Sequence, residues 1–211
     1  MINKAYILVI SILLMELFIT PAMAAGSIQN REQQIKAAFL YNFIKFIDWP
    51  EENTADSNEP MIIGIIGSED FINAFEPVKN KKIKNRNISV KYFAGLEKLD
   101  KSGKDDESQL DREIQKKLKA CHLLFICACE PESIENSTKI IKAVKDLPVL
   151  TIGETVDFLE SGGIINFLME DKKVRFEINN TAAKQAKLKI SSKLLRLAKR
   201  VIEEKPSGDS N

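Results

Sequence analysis

The sequence has one histidine, one tryptophan and three cysteines in 211 residues. The histidine, His122, opens a stretch that reads as a buried strand, and no serine stands in a nucleophile elbow. Cys121 and His122 are adjacent in an extended segment, so their side chains diverge and cannot form a Cys–His pair. No His-Glu-x-x-His pattern or spaced His/Cys set is present to hold a metal. Glu160, Glu170, Asp171 and Glu177 offer carboxylates, but no spacing isolates an acid/base pair. With no nucleophile–base pair and no ligand set, we expect neither an enzyme nor a cofactor. An excess of one charge sign is missing too. The 31 basic and 30 acidic residues leave a net charge of +1, and nothing in that total calls for nucleic acid or an anionic membrane as the main partner.

Long apolar runs are also scarce, and the one that exists is N-terminal. Lys4 precedes the run Ala5 to Thr20, which is interrupted by Glu16. Pro21 then breaks the segment, and Ala22-Met23-Ala24 forms a small-x-small cleavage site. The pattern predicts a signal peptide over residues 1–24, cleaved after Ala24, leaving 211 − 24 = 187 residues. The rival is an uncleaved anchor. Against it stand the shortness of the run for a span of about 20 residues and the cost of Glu16 within it. An exported, soluble protein is expected, periplasmic in a Gram-negative cell. Its organisation is one domain over residues 25–203 with a disordered tail over 204–211.

Export permits disulfides. Three cysteines, Cys121, Cys127 and Cys129, leave at least one thiol free or paired between chains. Cys127 and Cys129 share a strand face at i,i+2 spacing, which is poor disulfide geometry, so buried structural thiols are expected.

The remaining pattern alternates strands and helices. Arg31 to Phe46 reads as a helix with Ile35, Ala38, Phe39, Phe43 and Phe46 on one stripe. Ala37, Leu40, Tyr41, Ile44 and Ile47 fill most of the other side. Such a helix needs covering on both sides, by another subunit, by a partner or by its own chain. Trp49 before Pro50 ends it. Met61 to Gly67, Ile88 to Phe93, His122 to Cys129 and Val149 to Ile152 read as strands. Helices are expected at Gln109 to Ala120 and from Ser133 to about Asp146, with a helical turn at Val156 to Glu160. Gly64 and Gly67 before Ser68 fall short of a nucleotide-binding glycine fingerprint, and Glu69 and Asp70 would repel phosphate.

Gly162-Gly163 leads into a hairpin, Ile164 to Met169 and Lys173 to Ile178, around a polar turn. Val174, Phe176 and Ile178 face one way; Arg175, Glu177 and Asn179 face the other. The polar face is either a half-solvated edge or a recognition surface. A short helix with Ala182, Ala183 and Ala186 follows. A second, capped by Ser191 or Ser192, is expected to carry an inner stripe of Ile190, Leu194, Leu197 and Val201. The order predicts an α/β sandwich: a central mixed β-sheet flanked by helices on both faces.

An ordered set of blocks spans about Arg31 to Val201: Ala38-Phe-Leu-Tyr-Asn-Phe-Ile-Lys-Phe-Ile-Asp-Trp-Pro50, Ile65-Ile-Gly67, Cys121-His-Leu-Leu-Phe-Ile126, Pro148-Val-Leu-Thr-Ile-Gly153, Ser161-Gly-Gly-Ile-Ile-Asn-Phe167, Val174-Arg-Phe-Glu-Ile-Asn179 and Leu188-Lys-Ile-Ser-Ser-Lys-Leu-Leu-Arg-Leu-Ala198. This set resembles the YfiR family. The resemblance implies a periplasmic regulator that forms a homodimer and represses a membrane diguanylate cyclase through its periplasmic domain, lowering cyclic di-GMP and so disfavouring biofilm. It further implies an outer-membrane lipoprotein that sequesters the repressor, and control by disulfides. No cysteine precedes Cys121 or follows Cys129, so the family's bridges cannot form here, and Lys187 stands where the family pattern has glycine. The candidate partner or dimer surface is Leu40, Tyr41 and Ile44 on the helix with Asn166, Arg175, Glu177 and Asn179 on the hairpin. The alternative is a small-ligand sensor, with a crevice where parallel strands end at Gly67 and Gly153.

Overall fold

The computed structural model describes residues 22–50, 59–93, 116–127 and 133–203. The expected tail, the charged stretch from Glu97 to Ser108 and most of the helix expected over Gln109 to Ala120 lie outside these residues; a helical turn at 116–119 is described. Cys129 also lies outside them. Helix α1 (Ala22–Lys45) is followed by β1 (Ile47–Asp48), β2 (Met61–Ile66), a 3-10 segment (Glu69–Val78) and β3 (Ile88–Phe93). Next come β4 (Leu123–Ile126), α2 (Ser133–Val144), β5 (Leu150–Gly153), β6 (Ile165–Glu170) and β7 (Lys173–Asn179). The described chain closes with α3 (Asn180–Gln185), β8 (Lys189–Ile190), α4 (Ser192–Leu195) and β9 (Val201–Ile202).

Seven strands form one mixed sheet in the order β3-β2-β4-β5-β6-β7-β9. The first five are parallel, β7 is antiparallel to β6, and β9 is parallel to β7. The continuous apolar runs of β2, β4 and β5 are buried almost throughout, as parallel strands covered on both faces must be. One face packs on α1 and the 3-10 segment through Leu40, Phe43, Ile44, Phe71 and Phe75. The other packs on α2 through Ile140, Ile141 and Val144, with Phe158 and Leu159 completing that layer. This is the expected α/β sandwich.

The hairpin turns at Asp171-Lys172, both at positive φ (49° and 59°). A two-residue loop of this kind matches the strands' right-handed twist. Beyond it, the expected second C-terminal helix is a single turn. Ser191 caps α4, its hydroxyl accepting from the Lys193 N–H at 3.3 Å, but Leu197 is 68% exposed and Val201 enters the sheet. The helical periodicity misled because Val201 and Ile202 find strand partners in Ile178 and Asn179. Residues Val156 to Glu160 form the expected turn, the Ser161 N–H donating to the Asp157 carbonyl at 2.9 Å.

Lys187 ends α3 at φ 58°. The Leu188 N–H donates to the Ala183 carbonyl (2.9 Å) and the Lys187 N–H to that of Lys184 (3.0 Å). This pair of bonds is the Schellman closure, which favours glycine at this position because a Cβ crowds the left-handed backbone. Lys187→Gly is therefore expected to raise stability by about 1 kcal/mol, read as a higher urea midpoint at unchanged slope.

Candidate functional site

The helix surface expected to meet a partner is covered by its own chain. Leu40 and Ile44 are 0% exposed and Tyr41 is 8% exposed. The covering comes from the 3-10 segment and the sheet, so α1 is a central helix and these three residues are core. Phe39 and Phe43 lie against Phe167 and Phe176 on the inner face of the hairpin, with ring centroids 4.9–5.9 Å apart. That contact turns the other hairpin face outward.

The four expected hairpin residues share that outer face but differ in what they do. Asn179 is structural: its Oδ1 accepts from the Ala182 N–H, capping α3, and its Nδ2 donates to the Leu159 carbonyl, both at 2.9 Å. Glu177 does not pair with Arg175. It accepts from Arg200 at 2.8 Å, and Arg200 also reaches Glu160 at 3.2 Å. Sequence reasoning missed Arg200 as a partner because only the return of β9 beside β7 brings it there. Arg175 is exposed and, among the described residues, makes no hydrogen bond or ion pair. Asn166 stands opposite Glu177 in the register, and its buried Oδ1 has no hydrogen-bond partner. The hairpin thus presents one exposed cation, Arg175, whose charge helps to lower the Glu170 pKa, while the unpaired Asn166 oxygen lies beneath the surface.

The glycines expected to open a ligand crevice are filled instead. A Cβ at Gly67, whose φ is +98°, would lie 2.6 Å from the Cys127 carbonyl oxygen. A Cβ at Gly153 or Gly163 would run into the Phe158 ring. These glycines permit close backbone and ring packing. Cys127 is disulfide-bonded, contrary to the expectation of buried thiols only, while Cys121 is free and buried. Burial pushes the Cys121 thiol up to about 11, opposed by Lys91, so it is not a reactive thiolate. Among the described residues no His/Cys/Asp/Glu group could hold a metal ion, and no helix is long and apolar enough to cross a membrane.

Two buried polar clusters brace the frame that carries the hairpin. Lys36 of α1 bonds to Glu154, just past β5, and to Glu32 at 2.6 Å. The Lys36 and Glu154 side chains are 12% and 13% exposed. Burial alone would lower the Lys36 pKa, but the two carboxylates outweigh it and the net shift is upward. At the other end, His122 Nδ1 accepts from the Ile62 N–H and its Nε2 lies beside Arg86 Nη2, both at 3.2 Å. Burial, reinforced by the Arg86 charge, lowers the His122 pKa to about 4.

Removing Lys36 takes a charge partner from Glu154, whose side chain is only 13% exposed. Lys36→Met is expected to cost roughly 3 kcal/mol. The double variant Lys36→Met/Glu154→Met should recover most of that loss in the same urea titration. For His122 the folded pKa lies below the usual 6.5, so the unfolded chain binds the proton first. Stability from this group is full above about pH 6.5 and is lost as pH falls toward about 4. Comparing the wild-type protein with His122→Gln across that window should show a shallower loss in the variant; parallel curves would refute the assignment.

No match to a curated protein was found. Among solved structures, the chain is similar to a conserved domain protein from Vibrio cholerae O1 biovar El Tor, at 14% identity and TM-score 0.45, over 67% of this chain and 54% of that one. It is also similar to an ABC domain solved with L-Trp from Streptococcus pneumoniae, at 12% identity and TM-score 0.51, over 79% of this chain and 60% of that one. It therefore spans only a little over half the length of either, and the second likeness supports the fold alone. The match to a family model is of another order, since it runs unbroken from β1's preceding helix to the approach of β9. Over residues 33–199 the sequence fits the YfiR/HmsC-like model, and the protein belongs to the YfiR/HmsC-like family.

Proposed function

We propose that this protein is a periplasmic regulator that binds the periplasmic part of a membrane-bound diguanylate cyclase and represses it, so lowering cyclic di-GMP. The observation that carries this reading is membership of a regulatory family across nearly the whole folded domain. Residues 1–24 act as a cleaved leader; cleavage after Ala24 trims the first three residues of α1. Residues 25–203 are the exported domain, working as a homodimer, and an outer-membrane lipoprotein releases the cyclase by sequestering it.

Recognition falls to the outer hairpin face rather than to α1. Arg175 is the exposed cation there, held by no hydrogen bond or ion pair among the described residues, and the Glu177–Arg200–Glu160 bridge borders it. A desolvated arginine is a common anchor of a protein interface.

The test is co-expression with a membrane diguanylate cyclase of the same genome that has a periplasmic domain, reading cyclic di-GMP. Repression should appear with the full chain and disappear when residues 1–24 are deleted. Arg175→Glu should abolish repression with an unchanged melting temperature; full repression by that variant would remove the hairpin from the interface.

A further inference from the structure

The balanced total charge conceals an uneven distribution. Where α1 ends, five lysines meet with few carboxylates among them. Lys45 and Lys81 place their ammonium groups 4.0 and 5.9 Å from the centre of the same Tyr41 ring. The Tyr41 hydroxyl donates to the Lys82 carbonyl at 3.4 Å, which brings Lys82 to the same surface. Lys84 donates to the Ile47 carbonyl at 2.7 Å and pairs with Asp48 at 3.3 Å. Lys189 stands opposite Asp48 in the β1–β8 ladder. All five are exposed. Nearby Glu76 is already engaged by Lys79 at 3.0 Å. Glu51 and Glu52, which follow β1 in sequence, lie outside the described residues.

Internal bonding accounts for Lys45, which donates to Asn42 Oδ1 at 3.0 Å, and for Lys84. It does not account for Lys81, Lys82 or Lys189, which have no acceptor or carboxylate partner among the described residues. The large apolar side chains that are exposed, Ile35, Val156, Met169 and Leu197, belong to other parts of the fold. Whatever covers this surface is held by charge. All five cations are lysines, compact and flexible point charges, rather than the arginine forks that read one fixed carboxylate. Mobile, densely anionic headgroups match that chemistry better than a shaped acidic pocket does.

We propose that this lysine surface docks on an anionic phospholipid bilayer. The attachment is peripheral and reversible, each lysine near the headgroups strengthening it about fivefold. It would confine the protein to the plane in which a membrane-bound partner diffuses. The proposal stands independently of who that partner is.

The experiment is flotation of the protein, in the form that cells accumulate, with phosphatidylcholine vesicles lacking or containing about one-third phosphatidylglycerol. Any apolar leader that is retained would bind both kinds alike, so the difference between them reports the lysines. Binding only to the anionic vesicles, lost on raising salt from about 0.05 M to about 0.5 M, is expected. The triple variant Lys81→Glu/Lys82→Glu/Lys189→Glu should weaken that binding by at least about a hundredfold, with an unchanged melting temperature. Lys193→Glu/Arg196→Glu, a charge reversal on α4, should leave it nearly unchanged. Equal loss in both variants would reduce the effect to net charge and overturn the site. No binding to anionic vesicles, with salt-sensitive binding to polyglutamate instead, would replace the bilayer by an acidic protein.

Discussion

The contact on which the rest of the structure depends is the packing of Phe39 and Phe43 of α1 against Phe167 and Phe176 of the hairpin. Phe167 reaches on to Phe125 in β4, and Phe125 to Phe71 in the 3-10 segment. A chain of tilted, edge-on and stacked rings thus joins the helix, the centre of the sheet and its antiparallel edge into one core. Aromatic pairs of this kind contribute beyond their buried area because ring edges meet ring faces. Since Phe167 and Phe176 are register partners, burying both on one side commits Asn166, Arg175 and Glu177 to the other. The exposed polar face is a consequence of the core, not a separate feature.

Polar groups then hold the frame where apolar packing alone would leave it free to slide. The Lys36–Glu154 pair ties α1 to the end of β5, and His122 with Arg86 ties the start of β4 to that of β2 and to the connection before β3. Arg200 does the same for β9, joining it to β7 and to the turn at Glu160. The Lys36–Glu154 pair and His122 are costly to bury, the Arg200 bridge lies half-exposed, and each joins elements distant in sequence. The proposed function and the proposed membrane attachment give two charged surfaces separate tasks: one arginine on the hairpin suits recognition of a protein, and a spread of lysines suits an extended anionic plane.

Much of this was legible in the sequence. The apolar runs at Met61 and His122 announced strands covered on both faces, and the alternation from Lys173 to Asn179 announced which hairpin residues face out. The glycine-like position at Lys187 was visible as a departure from the family pattern, and the left-handed backbone there explains it. The errors share a cause. Leu40, Tyr41 and Ile44 were read as a possible interface because amphipathicity reports that a face is covered, not by what. Leu197 and Val201 were read as a helix stripe because a period of 3.6 in a short segment carries no knowledge of a free sheet edge nearby. Gly67 and Gly153 looked like the rim of a crevice because a missing side chain marks space, and only the fold says that Cys127 and Phe158 occupy it.

Local chemistry is written in the order of residues. Periodicity fixed the strands, the central helix and the two faces of the hairpin, because burial on one side of a regular element imposes its repeat directly on the chain. The ordered blocks from Ala38 to Ala198 likewise identified the family. What only the tertiary structure decided was pairing at a distance. That Glu177 is claimed by Arg200 and not by Arg175, that Lys36 meets Glu154 across 118 residues, and that Lys45 and Lys81 meet over the Tyr41 ring all depend on how the chain returns on itself. Contact energies act through space, so the mixed sheet that the sequence implies can bring together charges whose separation along the chain says nothing of their distance.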